Sequence, residues 1–144
     1  PVFNQTIKGL LSGTVNQVDF EMVKTEIESN QVIFLDARER AEYDVSHIPN
    51  AIWVGYNDFD IERLKNIDKN KKVIVYCSVG YRSEKVGEKL QDMGYSNIFN
   101  FYGGIFEWVN QNGQLINSEG ETHEIHGYDA KWALFLQRGE VVID

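Results

Sequence analysis

Three short, unbroken apolar runs constrain this chain more than any other feature: VIFL at 32–35, AIWV at 51–54 and VIVY at 73–76. A strand with one wet face alternates apolar and polar residues. An unbroken run suits a strand buried on both faces, as in a parallel sheet covered by helices. Helical patterns separate the runs. Asp19 reads as an N-cap with Phe20, Val23 and Ile27 at helical spacing behind it, and Val18 and Val23 are placed to form a hydrophobic staple. A polar helix is expected at 57–67, with Ile61 and Leu64 turned inward. Another is expected at 83–93, with Val86, Leu90 and Met93 on one face and Gly94 as its stop. Gly87 inside that helix costs about 1 kcal/mol against alanine, so it is expected to allow close approach to the sheet. A further strand is expected at 97–101, and Gly103-Gly104 starts a final helix carrying Phe106, Trp108 and Val109. Strands and helices alternating at this length predict βαβ units, an α/β class and a mostly parallel sheet.

The chain has 144 residues, enough for one domain with a real core and too few for two ordinary ones. With 42% apolar and 25% charged residues it is expected to be globular, not disordered. The net charge of −8 weighs against a nucleic-acid partner, and it means that an anionic substrate must be drawn in by local groups. No apolar run approaches the length of a bilayer span, so no membrane partner is expected. The single cysteine excludes an internal disulfide and fits a reducing compartment. Pro1 opens the chain without a basic and apolar leader, so the cytoplasm is expected, with a periplasmic protein whose signal peptide has been removed as the alternative. Residues 1–14 read as an N-terminal extension and 15–117 as the domain. The appendage at 118–144 starts polar and ends with Trp132, Leu134, Phe135, Leu136 and 141–143, and it is expected to cover the domain or a partner subunit of a monomer or homodimer.

The third apolar run leads straight into Cys77-Ser78-Val79-Gly80-Tyr81-Arg82-Ser83 and then into a helical pattern. Ligands of open α/β sheets bind beyond the carboxyl ends of the strands, which is where Cys77 is expected. A helix N-terminus offers unpaired N–H groups and partial positive charge, and amides converging on one point cradle an anion. Gly80 permits backbone angles that a side chain forbids, and Arg82, five positions after Cys77, adds a full positive charge. Such surroundings favour a thiolate, so Cys77 is expected to act as a nucleophile at neutral pH. The competing reading is a buried structural cysteine, since unpaired Cys is among the most buried residue types. The loop and Arg82 weigh against it.

The stretch from Cys77 to Ser83 resembles the active-site loop of single-domain rhodanese-like sulfurtransferases. Asp36-Ala37-Arg38, the acidic–aromatic pair Glu42-Tyr43 and the turn His47-Ile48-Pro49 are similar to that family's upstream signature. Tyr102-Gly103-Gly104 with Trp108 is similar to its C-terminal glycine pair and tryptophan. Order and spacing agree from about 15 to 116. The resemblance implies a three-layer fold around a central, mostly parallel sheet of about five strands. It implies ping-pong sulfur transfer with neither cofactor nor metal. Cys77 takes the outer sulfur of a donor such as thiosulfate as a persulfide, and cyanide or a thiol, a thioredoxin-like reductant among them, accepts it. Ser78, Val79, Gly80, Tyr81 and Arg82 would form the substrate-binding loop, with Arg82 on the donor's anionic group. Asp36, Arg38 and Ser83 would support the loop, although Asp36 and Arg38 read equally well as a structural ion pair. Ser78 stands where many thiosulfate-using relatives carry a basic residue, which weighs against thiosulfate as the natural donor. Ser46 and Asn50 replace glycines in turns and touch loop geometry more than chemistry.

Phosphatases and arsenate reductases of related fold use a cysteine loop one residue longer, commonly with a histidine before the cysteine. Arg82 at the fifth position and Tyr76 before Cys77 weigh against them. A non-catalytic rhodanese-like binding module typically lacks the cysteine, and a persulfide carrier with little turnover remains as a further alternative. His123, Glu124 and His126 in a polar linker read as solvated, not as metal ligands. His47 reads as structural. Trp53, Trp108 and Trp132 read as core or tail-docking residues.

Overall fold

The computed structural model describes residues 11–143. Residues 1–10, most of the expected extension, lie outside that range. Five short strands form one parallel sheet in the order β1-β5-β4-β2-β3: β1 (Asn16–Val18), β2 (Ile33–Asp36), β3 (Ile52–Trp53), β4 (Val73–Tyr76) and β5 (Ile98–Phe101). β4 lies between β2 and β5, pairing Asp36 with Tyr76 and Ile74 with Phe99. All four residues of β4 are buried, as an unbroken apolar run requires of a strand covered on both faces. Ile74 and Tyr76 enter one core layer with Phe34, Phe101, Phe106 and Trp108. Val73 and Val75 enter the other with Leu35, Val86, Leu90 and Ile98.

The helices are α1 (Phe20–Ser29), α2 (Arg40–Val45), α3 (Tyr81–Asp92), α4 (Gly104–Asn110) and α5 (Ala130–Ala133). Asp19 caps α1 by accepting from the Met22 N–H at 3.0 Å, and Val18 and Val23 share a core layer, as the staple pattern predicted. A Cβ at Gly87 of α3 would lie 3.2 Å from Val15 and 3.4 Å from Ile98, so the bare position sets how closely α3 approaches the sheet.

Three expectations are corrected, and one strand was not expected. The helix expected at 57–67 is a single 3₁₀ turn, Ile61–Leu64. Its polar residues hold a loop instead: Asp60 accepts from the Glu62 N–H, and Arg63 donates to the carbonyls of Val54 and Asp58. α3 starts at Tyr81, two residues before the expected Ser83. The edge strand β1, with two of its three residues exposed, has no apolar run to announce it. The helix at Gly104 is not the last, because α5 follows it.

The C-terminal segment builds its own small structure. β6 (Leu115–Asn117) and β7 (Gly120–Thr122) form an antiparallel hairpin, and β8 (Glu124–His126) pairs in parallel with β9 (Glu140–Val142). Ile125 is fully buried in the core, and Trp132, Phe135 and Leu136 lie against it. Asn110 of α4 clamps the segment, donating to the Phe135 carbonyl and accepting from the Gln137 N–H. His47 exchanges two backbone hydrogen bonds with Ile116, tying the hairpin to the His-Ile-Pro turn. Among the described residues no helix is long and apolar enough to cross a membrane.

Candidate active site

β4 ends at Tyr76 and α3 begins at Tyr81, so Cys77 and the residues after it must turn the chain within a few peptides. The carbonyls of Cys77, Ser78 and Val79 accept from the N–H groups of Ile105 (2.9 Å), Phe106 (3.1 Å) and Gly103 (3.2 Å). All three oxygens thus face the start of α4. In a trans peptide the N–H points opposite its carbonyl, so the amides of Ser78, Val79 and Gly80 face away from α4. The Gly80 N–H lies 3.1 Å from Cys77 Sγ, and Ser83 Oγ lies 3.5 Å from it. Gly80 reaches this position at φ 127°, where a side chain would strain the backbone. Asn100 of β5 braces the turn, donating to the Gly80 carbonyl at 3.0 Å and accepting from the Ser83 hydroxyl.

Close approach of loop and helix depends on Gly104. It stands at φ 57°, and a Cβ there would lie 2.4 Å from the Cys77 carbonyl oxygen. Gly104→Ala is therefore expected to cost more than the 1–2 kcal/mol (roughly) of a left-handed alanine, because the cradle must also shift. Thermal unfolding and alkylation of Cys77 measure the two effects. An unchanged Tm with an unchanged alkylation rate would contradict this account of the loop.

Arg82 is occupied. Its guanidinium forks onto Glu42, with Nη1 to Oε2 at 2.7 Å and Nη2 to Oε1 at 2.9 Å, and Nη2 also donates to Ser78 Oγ at 2.8 Å. The ring of Tyr128 stands 4.7 Å from its centre. Burial raises the Glu42 carboxyl, but the hydrogen bonds and charge of Arg82, with Arg38 behind it, outweigh burial and hold it below its ordinary value of 4.5. A carboxyl lower in the folded than in the unfolded chain contributes stability that is whole above pH 4.5 and fades as pH falls below it. Stability below pH 4.5 is accordingly expected to fall less steeply in Glu42→Gln than in the native protein. Equal slopes in acid unfolding curves would count against it.

Asp36 and Arg38 form a fully buried pair, Nε to Oδ1 at 2.9 Å and Nη2 to Oδ2 at 2.7 Å. Arg38 also donates to the Ser46 carbonyl, and the Tyr76 hydroxyl donates to Asp36 at 2.7 Å. The Tyr76 oxygen in turn accepts from the Ile48 N–H. The pair therefore locks the 46–48 turn to the end of β4, one residue before the cysteine. Its hydrogen bonds go to that framework, not to the loop.

Cys77, Ser78, Val79, Tyr81 and Arg82 line a cleft of about 380 Å³, completed by Glu39, Tyr56, Asn57, Tyr128 and Trp132. Glu42 and Asn100 join the site without having been singled out as functional. Glu42 stood in the acidic–aromatic signature, whereas Asn100 had no signal beyond being a polar residue in a strand. Trp132 was expected to dock the tail, and it also walls the cleft. His47 is structural as expected, its Nδ1 3.0 Å from the Tyr43 carbonyl and its ring stacked on Tyr43. His126 was expected in solvent but is buried, with Nδ1 accepting from the Tyr128 N–H at 2.9 Å, because β8 lays it between the domain and β9. His123 is exposed.

Comparison with known proteins follows the same lines. A family model for the Rhodanese-like domain matches residues 19–111. The chain belongs to the rhodanese family. The crystal structure of a rhodanese-like domain protein from Staphylococcus aureus is 29% identical, with a TM-score of 0.58 over 65% of this chain and 90% of that one. The BH2092 protein from Bacillus halodurans shares the fold at a TM-score of 0.67 and 24% identity, over 81% of this chain and 88% of that one. Among curated relatives, a tRNA uridine(34) hydroxylase from Hamiltonella defensa is 37% identical over 93 residues, 60% of this chain and 26% of that protein. A protein of the same name from Buchnera aphidicola is 31% identical over 131 residues, 85% of this chain and 40% of that protein. This rhodanese-like chain thus spans between a quarter and two fifths of the length of these relatives.

Proposed function

We propose that the chain is a sulfurtransferase that carries a sulfane sulfur on Cys77 from a small donor to a thiol or cyanide acceptor. The observation that carries this reading is the cradle: Cys77 Sγ lies 3.1 Å from the Gly80 N–H, inside a loop whose Cys77, Ser78 and Val79 carbonyls are turned away onto the start of α4. A group-transfer nucleophile needs an activated atom and a place for the transferred group, and amides converging on the sulfur supply the second. The Cys77 sulfur attacks the outer sulfur of the donor, the donor's sulfur–sulfur bond breaks, and its remainder leaves with the electron pair. The persulfide then sits among the loop amides until an acceptor nucleophile attacks the same outer sulfur and restores Cys77. Asp36 and Arg38 keep the frame in place, and Arg82 with Glu42 and Ser78 shapes the wall. The net charge of −8 supports small-molecule or protein-thiol partners over a nucleic acid.

The test is to incubate the protein with a sulfane-sulfur donor, thiosulfate first, and measure intact mass before and after adding cyanide. A gain of one sulfur that cyanide removes as thiocyanate supports transfer. Sulfur that loads but leaves slowly identifies a persulfide carrier. A chain that takes up no sulfur from any donor is not a transferase.

A further inference from the structure

The cleft above Cys77 poses a question that the transfer chemistry leaves open. Its volume of about 380 Å³ falls among pockets that hold whole organic ligands, about 300–1,000 Å³. A five-atom inorganic anion would fill only a corner of it. Its charge is also wrong for a dianion. Arg82 is the one cation lining it among the described residues, and its guanidinium is already paired with the Glu42 carboxylate and bonded to Ser78. Glu39 adds a negative charge to the lining. What the cleft does offer is aromatic surface, from Tyr56, Tyr81, Tyr128 and Trp132.

Two of those rings come from beyond the residues matched by the family model, which end at 111. Tyr128 holds its position at some cost. Its φ is 69°, a left-handed backbone that bulky residues rarely adopt. The neighbourhood over-determines it: the Tyr128 N–H donates to buried His126, the Gly127 N–H donates to the Val142 carbonyl, and Asp129 caps α5 by accepting from the Trp132 N–H. Strain kept in this way belongs to positions with a task. Here it sets the Tyr128 ring over the guanidinium of Arg82, 4.7 Å from its centre, with the residue 46% exposed and lining the cleft.

We infer that Tyr128 and Trp132 select the sulfur donor, and that the donor is an organic persulfide with an apolar body and not an inorganic dianion. The inference rests on the sulfurtransferase reading above. The body of R–S–SH lies against the two rings, which places its outer sulfur at Cys77. The Cys77 thiolate attacks that sulfur, the S–S bond breaks, and RS⁻ leaves with the electron pair and is then protonated by water. Cys77 keeps the outer sulfur as Cys77–S–SH, so no oxidant or reductant is consumed. Tyr128 also covers one face of Arg82, whose charge Glu42 already answers, which weighs against an inorganic dianion.

The experiment compares second-order rates of Cys77 loading, by intact mass, for benzyl persulfide released in situ and for thiosulfate. The native protein is expected to load from benzyl persulfide at least about tenfold faster. Tyr128→Asn removes the ring while keeping a residue that accepts a left-handed backbone; it is expected to lower the ratio of the benzyl persulfide rate to the thiosulfate rate about tenfold. Tyr128→Phe keeps the ring and is expected to keep the native donor ratio. A native preference for thiosulfate, or a donor ratio unmoved in Tyr128→Asn, overturns the inference alone. Loading by neither donor overturns the sulfurtransferase reading and this inference with it.

Discussion

Cys77→Ser is expected to abolish sulfur uptake while leaving the fold intact. Oxygen cannot hold a sulfane sulfur in an exchangeable bond, so the loss of turnover is about a thousandfold or more, equal to about 4 kcal/mol of transition-state stabilisation. Stability is expected to move by no more than about 1 kcal/mol, because serine is nearly isosteric and the Gly80 N–H and Ser83 hydroxyl remain to bond it. Intact mass after donor treatment and a denaturant titration measure the two effects. Residual loading above about one per cent of native would mean that another group carries the sulfur.

Arg82→Ala is expected to show the largest stability effect of any substitution in the loop. The Glu42 side chain is 2% exposed and that of Arg82 12%, so removing the arginine strands a carboxylate in the protein interior. Breaking such a pair from one side typically costs about 3–5 kcal/mol, whereas replacing both partners with apolar groups is often near neutral. Arg82→Met with Glu42→Leu is therefore expected to be more stable than Arg82→Ala alone. Arg82→Lys keeps the charge and loses the fork, and it is expected to fall between native and alanine. A double-mutant cycle that finds less than about 1 kcal/mol of coupling between the two positions would refute the pairing as an energetic unit.

The β4–loop–α3 unit was legible in the sequence because each of its parts leaves a local mark. An unbroken apolar run, a turn glycine and a helical face follow one another without interruption from Val73 to Leu90. The same holds for Asp19, whose side chain and helix are only three residues apart. What the sequence did not disclose is what the fold brings together from a distance. Arg82 and Glu42 lie 40 positions apart, and nothing local says that the arginine's charge is already answered. The helix expected at 57–67 failed because Asp60 and Arg63 find better partners in the loop backbone than along a helix face. β1 escaped notice because an edge strand of three residues carries one buried side chain and no pattern. Trp132 has the composition of a core residue, and only the route of the chain through β8 and α5 shows that it also faces the cleft.

The clamp between the loop carbonyls and the start of α4 bears on when in the life of the chain the cradle around Cys77 forms. Ribosomal synthesis delivers Cys77 well before Gly103, Ile105 and Phe106, the residues whose amides turn its loop inside out. Until β5 pairs with β4 and α4 docks, those amides do not hold the peptides around the sulfur in place. The cradle is thus a property of the tertiary structure, arriving with the docking of α4 and not with the motif. A defect that displaces α4 would disperse the cradle without touching the cysteine.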